Sequence, residues 1–229
     1  MVDKNSFRMT PEEKKLFLRS LAEDGLDCLY TAKASASVQT IDARDELIAC
    51  RNEALACTKC NELASTRKSV VFGAGNVKAN LMFVGEAPGR DEDLQGLPFV
   101  GMAGQLLTKI IESIGLDRKQ VFITNTLKCR PPANRQPKPD EIQNCEPFLI
   151  RQIDLIRTKI ICALGTFAAQ DLLKTETPIS QLRGKFHEYR DGIKVICTFH
   201  PAYLLRNPEE KRKVWEDMKM IKKEMDSWR

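Results

Sequence analysis

The spacing of apolar residues changes along the chain, and the changes mark out its elements. "TPEEKKLFLRSLAEDG" repeats them at helical intervals. Thr10 stands as N-cap, Pro11 at the first helical position and Glu13 at the third, a capping box that opens an amphipathic helix. "TAKASASVQT" is small and polar and reads as a linker, so residues 1–40 form a helical extension to a main domain over 41–229. "ANLMFVG" is a continuous apolar run closed by Gly85, the pattern of a buried strand. "GMAGQLLTKIIESIG" returns to helical spacing, and "VFITNTL" makes a second strand. "KPDEIQNCEPFLIRQIDLIRTK" contains a helix, "IICALG" is a third strand, and "TFAAQDLL" is the helix after it. "KFHEYRDGIKVICTFH" reads as a hairpin turned at Asp191-Gly192, its second strand joining the main sheet. The basic, amphipathic "PEEKRKVWEDMKMIKKEMDSW" closes the chain as a helix.

Strands alternating with helices imply a mostly parallel sheet covered on both faces. Ligands of such sheets bind beyond the carboxyl ends of the strands. The first strand ends at Gly85-Glu86, the second at Asn125 and the last at His200. Each alone is an ordinary exposed, turn or capping residue; at three parallel strand ends, they converge on one rim. The loop after the first strand, "VGEAPGRDEDLQGLPFVG", is rich in glycine but crowded with carboxylates, which repel phosphate. It is therefore not a phosphate cradle.

With 229 residues, 42% of them hydrophobic, the chain can bury one good core. A net charge of +5 suits contact with a polyanion without requiring it. The first 18 residues contain no apolar core of signal-peptide length, and no run approaches a membrane span. The expectation is a cytoplasmic, non-membrane protein whose eight cysteines are not structural disulfides. Cys57 and Cys60 form a C-x-x-C corner, with Cys129 and Cys145 far downstream. Four such sulfurs suit zinc or a [4Fe–4S] cluster, and spacing does not separate them; a metal-free redox pair is the third reading. Cys28 lies in an apolar or helical context, and Cys162 and Cys197 read as small hydrophobes within strands. Cys50, seven residues before Cys57, is either core packing or a stray ligand on the same helical face.

"GEAPGRDEDLQGLPFVGMAGQLL", "TNTLKCRPPANRQPKPDEIQNCEPFL", "LGTFAAQDLL" and "LRGKFHEYRDGIKVICTFHPAYLLRNP", with the C-x-x-C, closely resemble family 4 uracil-DNA glycosylases. The likeness runs from about Ala56 to the last helix and leaves out residues 1–40. It implies a three-layer α/β/α fold around a central, mostly parallel four-stranded sheet. It also implies a [4Fe–4S] cluster on Cys57, Cys60, Cys129 and Cys145, tying the segment before the first strand to the loop after the second.

The activity implied is hydrolysis of the uracil–deoxyribose bond in single- or double-stranded uracil-containing DNA by a monomer. The nucleotide must be flipped to be reached. Gly85, Phe99, Asn125 and His200 would bind the uracil, Phe99 by stacking and Asn125 through its amide. Glu86 and His200, with Glu92 as helper, would be catalytic, serving a positive sugar and a negative base. "PAYLLRNP" reads as a loop entering the DNA, with Leu204 or Leu205 filling the extruded base's place and Tyr203 and Arg206 alongside. Arg183 would contact phosphate together with Arg130, Arg135, Lys138 and Lys185. The N-terminal helix either docks on the fold or recruits a replication or repair protein. Three alternatives remain: a covalently trapping relative, a catalytically weak uracil-DNA-binding iron–sulfur module, and a zinc-stabilised nucleotide-binding protein. The first carries a reactive histidine after the second strand, and none lies between Asn125 and Cys145.

Overall fold

The computed structural model describes residues 43–228. The expected N-terminal capping box, helix and linker, with Cys28, lie outside the described residues. Among the described residues, two helices come first, α1 (Ala43–Ala56) and α2 (Asn61–Thr66), then strands β1 (Ala74–Gly75) and β2 (Leu81–Gly85). α3 (Arg90–Gln95) and α4 (Met102–Ser113) lead to β3 (Phe122–Asn125), α5 (Pro139–Ile156) and β4 (Ile160–Leu164). α6 (Thr166–Leu173), α7 (Ile179–Leu182), β5 (Phe186–Glu188) and β6 (Lys194–Thr198) follow. α8 (Pro201–Arg206) and α9 (Lys211–Asp226) end the chain. None of the described helices is long and apolar enough to cross a membrane.

Among the described residues the sheet has six strands, in the order β1-β3-β2-β4-β6-β5, two more than the expected four, and the expected mostly parallel α/β class holds. The inner four, β3, β2, β4 and β6, are mutually parallel; short β1 and β5 pair antiparallel at the two edges. β5 and β6 are the expected hairpin, turned through Arg190–Gly192. Side chains alternate across the sheet and sort the core into two layers. Met82 and Val84 of β2 join Cys50, Ile153, Ala168 and Cys197 on one face. Leu81 and Phe83 join Leu107, Ile111, Cys162, Met218 and Ile221 on the other. Both faces are covered by helices, which is why the strands read as unbroken apolar runs.

Register fixes the rim: Gly85 stands beside Asn125, and Leu164 beside Thr198. After β6 the chain makes a helix where a loop was expected. His200 is its N-cap, with Nδ1 accepting the Ala202 N–H at 3.1 Å, and Pro201 holds the first position with its φ preset.

Candidate active site

A cleft of about 910 Å³ opens at the carboxyl ends of the parallel strands, and Glu86, Phe99, Asn125 and His200 all line it. Asn125 is 1% exposed, and its Oδ1 is buried without a hydrogen-bond partner among the described residues. Such an orphan costs about 1–3 kcal/mol, so its presence calls for a ligand with an N–H to give. Gly85 makes the approach: a Cβ there would stand 2.4 Å from Asn125 Oδ1 and 2.6 Å from Phe99 Cζ. The amide and the ring can flank the strand end only because Gly85 has no side chain.

Phe99 is held in the left-handed region, at φ 52°, a conformation costing roughly 1–2 kcal/mol in a residue with a Cβ. Glu92 maintains it. Its Oε1 accepts the N–H groups of Val100 (2.9 Å) and Gly101 (3.0 Å), and its Oε2 accepts that of Gly89 (3.1 Å). Glu92, expected to help catalysis, lines the cleft, and its carboxylate accepts three backbone donors, which makes it the brace of the Phe99 loop. Asp93 is likewise engaged, with the N–H groups of Lys68 and Ser69. The Phe99 and His200 rings lie 5.6 Å apart, tilted by 34°.

The cap bond fixes the tautomer of His200: Nδ1 accepts, so the neutral ring carries its proton on Nε2. Burial, reinforced by the Arg206 charge, pushes its pKa down to about 4, and Glu92 only partly opposes this. His200 is therefore a neutral N–H donor at working pH. Burial also raises the Glu86 carboxyl above its ordinary 4.5, and its side chain has no hydrogen-bond partner among the described residues. Gly165, whose role no motif suggested, lets the turn after β4 close on the ring; a Cβ there would lie 3.0 Å from His200 Cβ.

On α8, Leu204 is fully buried in the core, which corrects its expected place in the DNA. Its neighbour Leu205 is 41% exposed, and Tyr203 and Arg206 line the cleft. Arg183 is also corrected. Its guanidinium forks onto buried Asp217 (2.8 and 3.2 Å) and donates to the Lys213 carbonyl, anchoring α9 rather than facing solvent. Arg135 is paired with Glu141 and Glu62, and Lys138 with Glu62.

Cys57, Cys60, Cys129 and Cys145 line one small cavity. Among the described residues, no three His, Cys, Asp or Glu side chains stand in the geometry of a single metal ion. Three N–H donors aim at the sulfurs: Arg67 Nη1 at Cys129 (3.1 Å), the Lys128 backbone at Cys145 (3.2 Å) and Asn144 Nδ2 at Cys60 (3.6 Å). Burial holds the Cys60 and Cys129 thiols above their ordinary value and Cys145 up to about 11, so without a cationic group they are neutral. Lys128, which its place beside Cys129 gave no reason to single out, is buried, and this pushes it down to about 8.

A parallel α/β sheet with a crevice at its strand ends, and a buried amide with an unpartnered oxygen at the crevice wall, defines a pocket for a polar ligand. Residues 72–219 match the family described as the Uracil DNA glycosylase superfamily. The chain is 46% identical over 188 residues to the type-4 uracil-DNA glycosylase of Archaeoglobus fulgidus, covering 79% of this chain and 92% of the relative. It is 44% identical over 183 residues to that of Thermotoga maritima (78% and 95% covered), and 29% identical over 185 residues to a type-5 uracil-DNA glycosylase of Pyrobaculum aerophilum (67% and 81%). The chain belongs to the type-4 uracil-DNA glycosylases of that superfamily.

Proposed function

We propose that the protein removes uracil from DNA in base excision repair. It takes an extruded nucleotide into the cleft and hydrolyses the bond between uracil N1 and deoxyribose C1′. Water adds its hydroxyl to C1′, uracil departs with the bonding pair and is protonated, and an abasic site remains. The observation that carries this reading is the orphaned, buried Oδ1 of Asn125 at the cleft wall. Uracil N3–H fits that acceptor, and uracil O4 fits the amide NH2. Cytosine presents an acceptor and a donor at the same places, and each mispaired buried group costs about 1–3 kcal/mol. Phe99 supplies a face for stacking, worth about 1–3 kcal/mol per base. His200 Nε2–H donates to uracil O2 as negative charge develops there, and Glu86 orients the water and favours the cationic sugar. Strand breaks at uracil after incubation with a uracil-containing oligonucleotide and alkali test the reading; an intact strand overturns it.

Because His200 is already neutral above about pH 4, the acid limb of the rate profile belongs to Glu86. kcat/KM on single-stranded uracil DNA is expected to fall on one acid limb whose midpoint lies above 4.5. Glu86→Gln should remove that limb and lower turnover while oligonucleotide binding persists; a limb unchanged in the variant excludes Glu86 as its source. His200 makes stability fall with acid, against the opposite effect of the raised Glu86 carboxyl. The unfolded imidazole binds a proton near its ordinary 6.5, whereas the folded one resists until about 4. Its contribution is whole above pH 6.5 and is lost as pH falls toward 4.

Leu205 is the apolar side chain of α8 free to enter the base stack. Leu205→Ala is expected to slow excision from duplex DNA several-fold more than from single strands, which need no opening. Equal effects on both substrates would remove the wedge role. Arg206 stands alongside for a phosphate, and this contact should weaken with salt.

We further propose that Cys57, Cys60, Cys129 and Cys145 hold a [4Fe–4S] cluster. When bound, the cluster supplies a four-point cross-link. Support comes from the N–H donors aimed at sulfur, which strengthen when thiols become thiolates. It also comes from four cysteines ringing one cavity, the ligand number of a [4Fe–4S] cluster.

A further inference from the structure

Between the cysteine centre and the cleft lies a lysine that the glycosylase reaction does not use. Lys128 is 1% exposed, among the least accessible side chains of the domain. Its Nζ donates to the Asn125 carbonyl (2.6 Å), Thr124 Oγ1 (2.7 Å) and Gln152 Oε1 (2.7 Å). Those three acceptors take up the three donors of an ammonium group. Gln152 is fixed in turn by donating Nε2 to the Phe72 carbonyl at 2.7 Å, and Thr124 Oγ1 lies 3.0 Å from the same carbonyl. The donors therefore have one arrangement, and Lys128 cannot turn without breaking it.

Every acceptor around Nζ is neutral, and no carboxylate pairs with Lys128 among the described residues. A buried charge without a counter-charge costs several kcal/mol, so buried ions are paired or bind metals. The groups whose negative charge would act on Nζ are the sulfurs of Cys145, Cys50 and Cys129, and the Lys128 backbone N–H also donates to Cys145. A thiolate-ligated iron–sulfur cluster is a net anion.

We propose that Lys128 is a positioning residue joining the two sites: its ammonium clamps the main chain of Asn125 and is the buried counter-charge of the thiolate-bound cluster. This rests on the glycosylase and cluster readings above. A purely space-filling Lys128 would be replaceable by methionine at no loss, since apolar replacements of buried charges are often neutral or stabilising.

The test compares wild-type holoprotein with Lys128→Met, which loses charge and donors, and Lys128→Gln, which loses charge but keeps a donor. Each is purified anaerobically, with circular dichroism and iron content measured. Inhibition by free uracil, kcat and KM on a single-stranded uracil oligonucleotide, and the cluster's reduction potential are then read. Lys128→Met is expected to weaken uracil inhibition at least tenfold, and Lys128→Gln to weaken it less. Both should move the potential to more negative values, because an electron is harder to add once a neighbouring positive charge is gone. Unchanged uracil inhibition in folded Lys128→Met overturns the positioning role. An unchanged potential in either folded variant overturns the counter-charge role. If the methionine variant does not fold, the glutamine variant carries both readings. Wild-type protein that neither binds uracil nor cuts at it would sink the glycosylase reading instead, while the potential, which needs no substrate, still judges Lys128.

Discussion

Asn125→Leu is expected to reduce uracil excision at least a hundredfold while leaving the melting temperature unchanged or slightly raised. Both halves follow from one atom. In the free protein Oδ1 of Asn125 is buried at the cleft wall with no partner, so the fold bears its desolvation without return. Replacing the amide by an apolar group of similar size removes that penalty, and such exchanges are near neutral or stabilising. In the complex the same amide makes two hydrogen bonds to the pyrimidine edge. Losing both and stranding the uracil N3–H costs about 3 kcal/mol or more, and each 1.4 kcal/mol is tenfold. An ordinary structural asparagine would behave the other way, losing stability first. Glycosylase assays on single-stranded uracil DNA and thermal melts of the same preparations separate the two. Excision within threefold of wild type would detach Asn125 from base recognition.

The centre of the fold was legible because parallel strands are apolar on both faces, so "LMFVG", "FITN", "IICAL" and "KVICT" stand out without periodicity. The rim was legible because those runs stop abruptly at Gly85, Asn125 and, two residues on, His200. What escaped was tertiary. β1 is two residues long and exists only through its pairing with β3. Leu204 and Leu205 are neighbours of like character, and only the packing of α8 decides that one enters the core and the other faces out. Glu92 offered a local signal that went unread: it is the third residue of α3 after Gly89, the capping-box position, with glycine standing where serine or threonine would have drawn attention. Lys128 offered none, since a lysine beside a cysteine ordinarily reads as surface.

The second large effect concerns the cysteine centre. Cys145→Ser is expected to lose iron, to melt at least 10 °C lower and to lose most uracil excision, although no cysteine lines the cleft. The four residues come from three places: the turn between α1 and α2, the chain after β3, and the body of α5. Besides the apolar packing of α1 on α5 through Cys50, Ala54, Leu149 and Ile153, the ties between them are the Arg151–Glu53 pair, Arg67 reaching the Cys129 sulfur, and Arg135 and Lys138 reaching Glu62. The pairs at Glu62 are exposed and worth about 1 kcal/mol at most. A cross-link that forms only in the folded state adds its binding free energy to folding, and at this size each kcal/mol moves the midpoint by about 2–4 °C. Activity follows because Cys129 lies four residues past Asn125, so slack in that segment reaches the amide directly. Cys197→Ala, in the apolar core, is the control: iron and colour should be retained. Iron-free Cys145→Ser protein that melts and excises like wild type would show that the sheet and its helices hold Asn125 without the cross-link.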